Sequence, residues 1–226
     1  MADETTNPNY GFPSQAVSMP DPGEITPVHS NFVYWGRILW GMPVDLFVPS
    51  AILITLARLV DKALDEYFAA RAEVFAHIER RWNPDITHLT RATNHMETLV
   101  GALWRLFGLA QAIRRHPDAP LISRAELPTR GDFERLNGIR RAIEHMDARI
   151  RDGRVQPGDP TMVMLGDSSI RLEGWEVSHD ELAWWIALMS NLVIRLRVSE
   201  ARTPSEEWPG IVRMFSTAMG QRDSGG

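Results

Sequence analysis

The run Phe133-Glu-Arg-Leu-Asn-Gly-Ile-Arg-Arg-Ala-Ile-Glu-His-Met-Asp-Ala-Arg-Ile150 carries both the clearest fold signal and the candidate chemistry of this chain. Leu136, Ile139, Ile143, Met146 and Ile150 recur every three or four residues, the period of one helix face. Thr129 and Asp132 stand just before them with oxygens suited to an N-terminal cap, so the spacing predicts a helix over about 133–152. Stepping about 100° per residue from Ile143, at the centre of the buried face, puts Arg141 and His145 on the opposite side, about 40° apart. Arg140 falls at the core boundary, one turn from Glu144 and on the side of Asp147, so either carboxylate can hold it.

Working outward, the same period predicts a helix over about 86–115, with Leu89, Ala92, Met96, Leu99, Leu103, Phe107, Ala110 and Ile113 on one stripe. The prolines of His116-Pro-Asp-Ala-Pro120 stop it. An earlier helix over about 50–81 uses Leu53, Leu56, Val60, Leu64, Phe68, Val74 and Ile78 and ends at Asn83-Pro-Asp85, where proline removes the helical donor and its predecessor leaves the helical region. Downstream, two short apolar runs flank Gly166-Asp-Ser-Ser169, which predicts a hairpin at about 161–177. Ser178-His-Asp-Glu181 has capping-box spacing and opens a fourth long helix, and a short fifth helix is expected after Pro209. Each amphipathic helix needs a partner for its apolar stripe, and a lone hairpin is too small to stand by itself. The expectation is a mostly α fold: a four- to five-helix antiparallel bundle over 31–203, with a small β-hairpin before the last long helix. Residues 1–30, with five prolines, read as an extended or disordered arm, and 204–226 as a short helix and a disordered tail.

Composition narrows the chemistry. The chain has 226 residues and no cysteine, which excludes thiolate zinc sites, iron–sulfur clusters, disulfides and cysteine nucleophiles. A net charge of −5 opposes indiscriminate coating of nucleic acid. Residues 133–154, however, hold six arginines against four acids, a local excess of +2 that allows a short RNA segment to be attracted there. Arginines number 23 against one lysine, Lys62, a bias read as mostly compositional. The N-terminus is acidic and polar, unlike a secretory leader, and the most apolar stretch, 46–57, contains Pro49 and falls well short of a membrane span. The expected location is cytoplasmic, with no membrane partner.

Arg140-Arg-Ala-Ile-Glu-His145 places a His after Arg140 and four intervening residues, the first of them polar, on a helix of a helical bundle. This resembles the HEPN superfamily, and the continuation Glu144-His-Met-Asp-Ala-Arg149 is similar to that of some bacterial members. One departure is Arg141, which stands where Asn is commonest. The resemblance implies a homodimer in which two motifs meet at a cleft, cutting RNA without a metal or other cofactor and possessing a toxin-like role in some relatives. His145 would then move the proton, Arg140 would offset phosphorane-like charge, and Arg141, Glu144 and Asp147 would be auxiliary phosphate-site residues. The competing reading is a non-catalytic bundle that serves as a dimerisation or protein-partner module, with the Arg/His face merely solvated.

Other candidates carry less. His88 and His95 are seven residues apart, and Glu97 lies about 200° from His95, so no metal triad follows from spacing. His95 is kept as a weak supporting residue beside the third helix. Gly166-Asp-Ser-Ser169 reads as a turn, because no histidine is fixed beside its serines. Adjacent Trp184 and Trp185 point about 100° apart, which calls for an internal helix, a homodimer surface or a base-stacking platform. An apolar small-ligand pocket among Trp and Met side chains is a third functional class.

Overall fold

The computed structural model describes residues 13–23, 50–80, 86–115 and 127–198. Among these are four helices, α1 (Ser50–Glu79), α2 (Ile86–Arg114), α3 (Arg130–Arg151) and α4 (His179–Val198), and three strands, β1 (Met164–Leu165), β2 (Ser169–Leu172) and β3 (Trp175–Ser178). Their order explains itself locally. Thr129 Oγ1 accepts from the Asp132 N–H at 3.2 Å while the Asp132 carboxylate accepts from the Thr129 N–H at 2.8 Å, a reciprocal cap that starts α3 at Arg130 rather than at Phe133. Ser178 and Glu181 close the same kind of box at the start of α4.

Among the described residues, the helices α1 and α2 share the largest contact. They run antiparallel: Glu73 meets His88 and Glu66 meets His95, so the chain rises along one helix as it descends along the other. Their seam buries Leu56, Val60, Ala63, Tyr67, Ala70 and Val74 against Met96, Leu99, Leu103, Leu106 and Ala110. Then α3 packs on α2 through Leu136 and Ile139, and α4 packs on α1 through the stripe of Leu182, Ile186, Met189 and Val193. Trp185 is fully buried and meets Phe107 edge-on at 5.4 Å, whereas Trp184 is 50% exposed. Among the described residues, therefore, α4 is covered on one side only, and the two adjacent indoles part company.

The hairpin expectation needs correction. The turn at Gly166–Ser169 is present, with Leu165 opposite Ile170, but the strands continue into a second hairpin, giving an antiparallel sheet in the order β1-β2-β3. Its two-residue turn is Glu173-Gly174, with φ of 53° and 79°. Both residues are left-handed, as a type I′ turn demands, and the twist of that turn matches the flanking strands. Glu173 is not glycine, and Arg149 of α3 pairs with its carboxylate. Strand β3 went unread although Trp175-Glu-Val-Ser178 alternates apolar and polar, because a run of four residues leading directly into the Ser178-Glu181 cap is too short to stand out from it.

Gly138 joins the sheet to α3. A Cβ there would lie 2.2 Å from Cδ2 of Trp175, so the indole occupies the space that any other residue would fill. The opposite edge of the fold is closed by residues 13–23. Met19 is buried, the Ser18 N–H donates to the Asp167 carbonyl at 2.7 Å, and Tyr67 Oη and Arg71 Nε donate to the carbonyls of Pro20 and Met19. Residues 13–23, with a turn at 15–16, are docked on the fold by these contacts. The rest of the arm, the expected fifth helix after Pro209 and the tail lie outside the described residues. Among those residues no helix is long and apolar enough to cross a membrane.

Candidate functional site

Helix α3 divides its polar residues between two kinds of surroundings. Arg130, Arg135, Arg140 and Arg149 are each held by carboxylates: Glu134, Asp132 with Glu181, Glu144, and Glu173 respectively. Arg135 forks onto both oxygens of Glu181, tying α3 to the cap of α4, and these bonds raise its pKa further above the usual range.

Arg140 is the most enclosed of these arginines. Its guanidinium lies 3.9 Å from the centre of the Trp104 ring, its Nη1 donates to Glu144 at 2.5 Å and its Nε donates to Asn137 at 3.3 Å. Glu144, not Asp147, is thus the carboxylate that holds it, and Asp147 is exposed. A cation stacked on an indole and ion-paired at partial burial is fixed in place.

Arg141 and His145 contrast with it. Both are exposed, they stand one turn apart, and among the described residues neither side chain has a hydrogen bond or ion pair. At about 100° per residue Arg140 and His145 point about 140° apart, at opposite edges of the exposed arc of α3. Arg140 sits at the α2 edge. His145 sits at the sheet edge, on the stripe that begins with Gly138 beneath Trp175. Within one chain the two motif residues do not converge, and the cation next to His145 is Arg141.

His95 belongs elsewhere: its Nδ1 lies 2.6 Å from Glu66 of α1. His88 pairs in the same way with Glu73, at 2.5 Å. Among the described residues no three acidic or histidine side chains gather as a metal site would require. Gly166-Asp-Ser-Ser169 forms a turn, with the Asp167 carboxylate accepting from the backbone and hydroxyl of Ser14.

The sequence reading missed a groove. Leu59 and Lys62 of α1, Thr98, Gly101, Ala102, Trp104 and Arg105 of α2, and Arg140 and Glu144 of α3 enclose about 250 Å³. Only the antiparallel register of α1 and α2, which brings position 62 to position 98 and position 59 to position 102, assembles it. Lys62, the one lysine of the chain, was the available signal. No protein-family model, curated protein or solved structure matches this chain.

Proposed function

We propose that this helical protein cuts RNA without a metal, as a HEPN-like homodimer whose α3 faces meet across a cleft. The observation that carries the reading is the adjacent, uncommitted pair Arg141 and His145 on a helix where four of the five other arginines are each held by a carboxylate. An exposed imidazole that no neighbour engages is placed to exchange a proton with a ribose hydroxyl, and an unpaired guanidinium beside it offsets charge as the phosphate becomes pentacoordinate. A homodimer supplies what one chain lacks, because Arg140 and His145 face apart within a protomer. The phosphate site is then Arg141 with its mate from the second chain, and Arg140 acts as the strut that fixes α3 against α2.

A labelled single-stranded RNA incubated with the protein in excess EDTA tests this reading. Cleavage is expected, and His145→Ala should slow it by about 100-fold or more, the usual contribution of a positioned acid or base. Arg141→Ala should slow it as well. Cleavage that His145→Ala leaves unchanged overturns the assignment. The enclosure of Arg140 favours a second reading, a non-catalytic partner-binding bundle, and that reading predicts no cleavage by the wild-type chain under any of these conditions.

A further inference from the structure

The groove between α1, α2 and α3 is built unlike the rest of the surface. Three cations from three helices, Lys62, Arg105 and Arg140, line it against one carboxylate, Glu144. In a chain of net charge −5, and with Glu66 beside Lys62, this leaves a local excess of one positive charge. The cations are not equally engaged. Arg140 is bound to Glu144, and Lys62 reaches Glu66 at 3.4 Å while remaining half exposed. Arg105 is exposed and, among the described residues, makes no ion pair or hydrogen bond.

Between these charges the wall is apolar: Leu59, Ala102 and the Trp104 indole. Gly101 keeps the floor open, since a Cβ at that position meets no atom within 4 Å. A glycine inside a long helix costs up to about 1 kcal/mol relative to alanine, and here it leaves room in the groove. The volume, about 250 Å³, lies just below the range of roughly 300–1,000 Å³ for sites that take drug-sized molecules.

We propose that this groove binds a small organic anion, a flat apolar body carrying one carboxylate or phosphate, with the body against Leu59, Gly101 and Trp104 and the anionic group between Lys62 and Arg105. The site is distinct from the Arg141/His145 face and does not depend on RNA cleavage.

The single lysine makes the test direct. A limiting amine-acylating reagent modifies Lys62 and the α-amine, and mass spectrometry reads both, the α-amine serving as internal control. Naphthalene-2-carboxylate and adenosine 5′-monophosphate, each at about 1 mM, are the two organic probes, and inorganic phosphate is the third. Whichever organic anion fits is expected to slow Lys62 acylation about twofold or more, the effect of half occupancy when Kd equals the probe concentration. Which of them protects tells carboxylate from phosphate chemistry. Arg105→Ala, an exposed change that leaves the fold intact, should abolish protection, as should Gly101→Leu, which fills the floor. His145→Ala should leave it unchanged. The proposal is overturned if neither organic anion protects Lys62, if inorganic phosphate protects equally, or if protection survives Arg105→Ala undiminished.

Discussion

At the scale of single residues, neighbouring arginines with the same side chain take opposite roles, and stability measurements separate them. Arg140→Ala removes a stacked, ion-paired guanidinium and should lower unfolding free energy by about 1–3 kcal/mol in urea titrations. Arg140→Lys should recover little of it, since an ammonium offers no planar fork. Arg141→Ala should change stability by less than about 0.5 kcal/mol, as expected at an exposed position without partners. Equal losses at 140 and 141 would mean that Arg141 is also a structural residue, contrary to its exposed position. Glycines divide in the same way. Gly138→Ala gains up to about 1 kcal/mol of helix propensity but drives a Cβ into Trp175, so a net loss of about 1–3 kcal/mol is expected. Trp175→Ala made together with it should recover part of that loss. Gly108→Ala, exposed on α2 with no atom within 4 Å of the new Cβ, should instead stabilise the chain by about 0.5–1 kcal/mol. Sequence placed Arg141 and His145 correctly on an outer face because helical phase follows from the apolar stripe alone. It could not tell which arginine is consumed, because Trp104 is 36 positions away in sequence and reaches Arg140 only once α2 and α3 are packed.

At the scale of elements, the least regular piece makes the sharpest prediction. His179, the first residue of α4, is 1% exposed, and its Nδ1 donates to the Ser18 carbonyl at 2.9 Å. Its Nε2 is buried with no partner. Burial holds its pKa below the usual histidine value, with the Ser18 carbonyl, Asp180 and Asp167 only partly opposing that shift. A proton on Nε2 would be a buried charge with no acceptor. The unfolded chain takes that proton as pH falls below about 6.5, while the folded chain resists it. The stability that His179 contributes is therefore complete above about 6.5 and declines as pH falls toward its lower folded value. The Asp167 carboxylate, held below its usual range chiefly by the Ser14 hydroxyl, gives way later, as pH falls beneath about 3.9. Amide exchange across residues 13–20 should rise in two steps on acidification. His179→Asn keeps a donor near the Ser18 carbonyl without the titration and should remove the first step only. An unchanged first step in that variant would assign the release to another group. Helix ends were legible because prolines and capping boxes mark them, whereas β3 is only four residues long and pairs through its backbone with β2, and the docked segment is held by side chains from α1, the first hairpin turn and α4 rather than by any periodicity of its own.

At the scale of the whole molecule, the proposed ribonuclease chemistry rests on a relation between two chains. One protomer presents Arg141 and His145 outward and keeps Arg140 inward, so a single chain offers one cation and one histidine to a phosphate, and two related by a twofold axis offer two of each. The protein should then be dimeric at working concentration, with the α3 helices facing one another. The absence of cysteine permits a clean measurement. Ala148→Cys places one thiol on the same arc of α3, about two turns beyond Arg141 and one turn beyond His145. Spin labels there should report a single short distance between protomers, and dilution should abolish it in parallel with RNA cleavage. A thiol on the half-exposed Trp184 surface, introduced as Asn191→Cys, should give a longer distance in the same dimer. If the short distance appears at 191 rather than at 148, the chains associate through α4, Trp184 is the interface residue, and the α3 faces stay apart. That arrangement leaves each phosphate with one histidine and one arginine and removes the physical basis for cleavage, while leaving the small-anion groove of each protomer as it is.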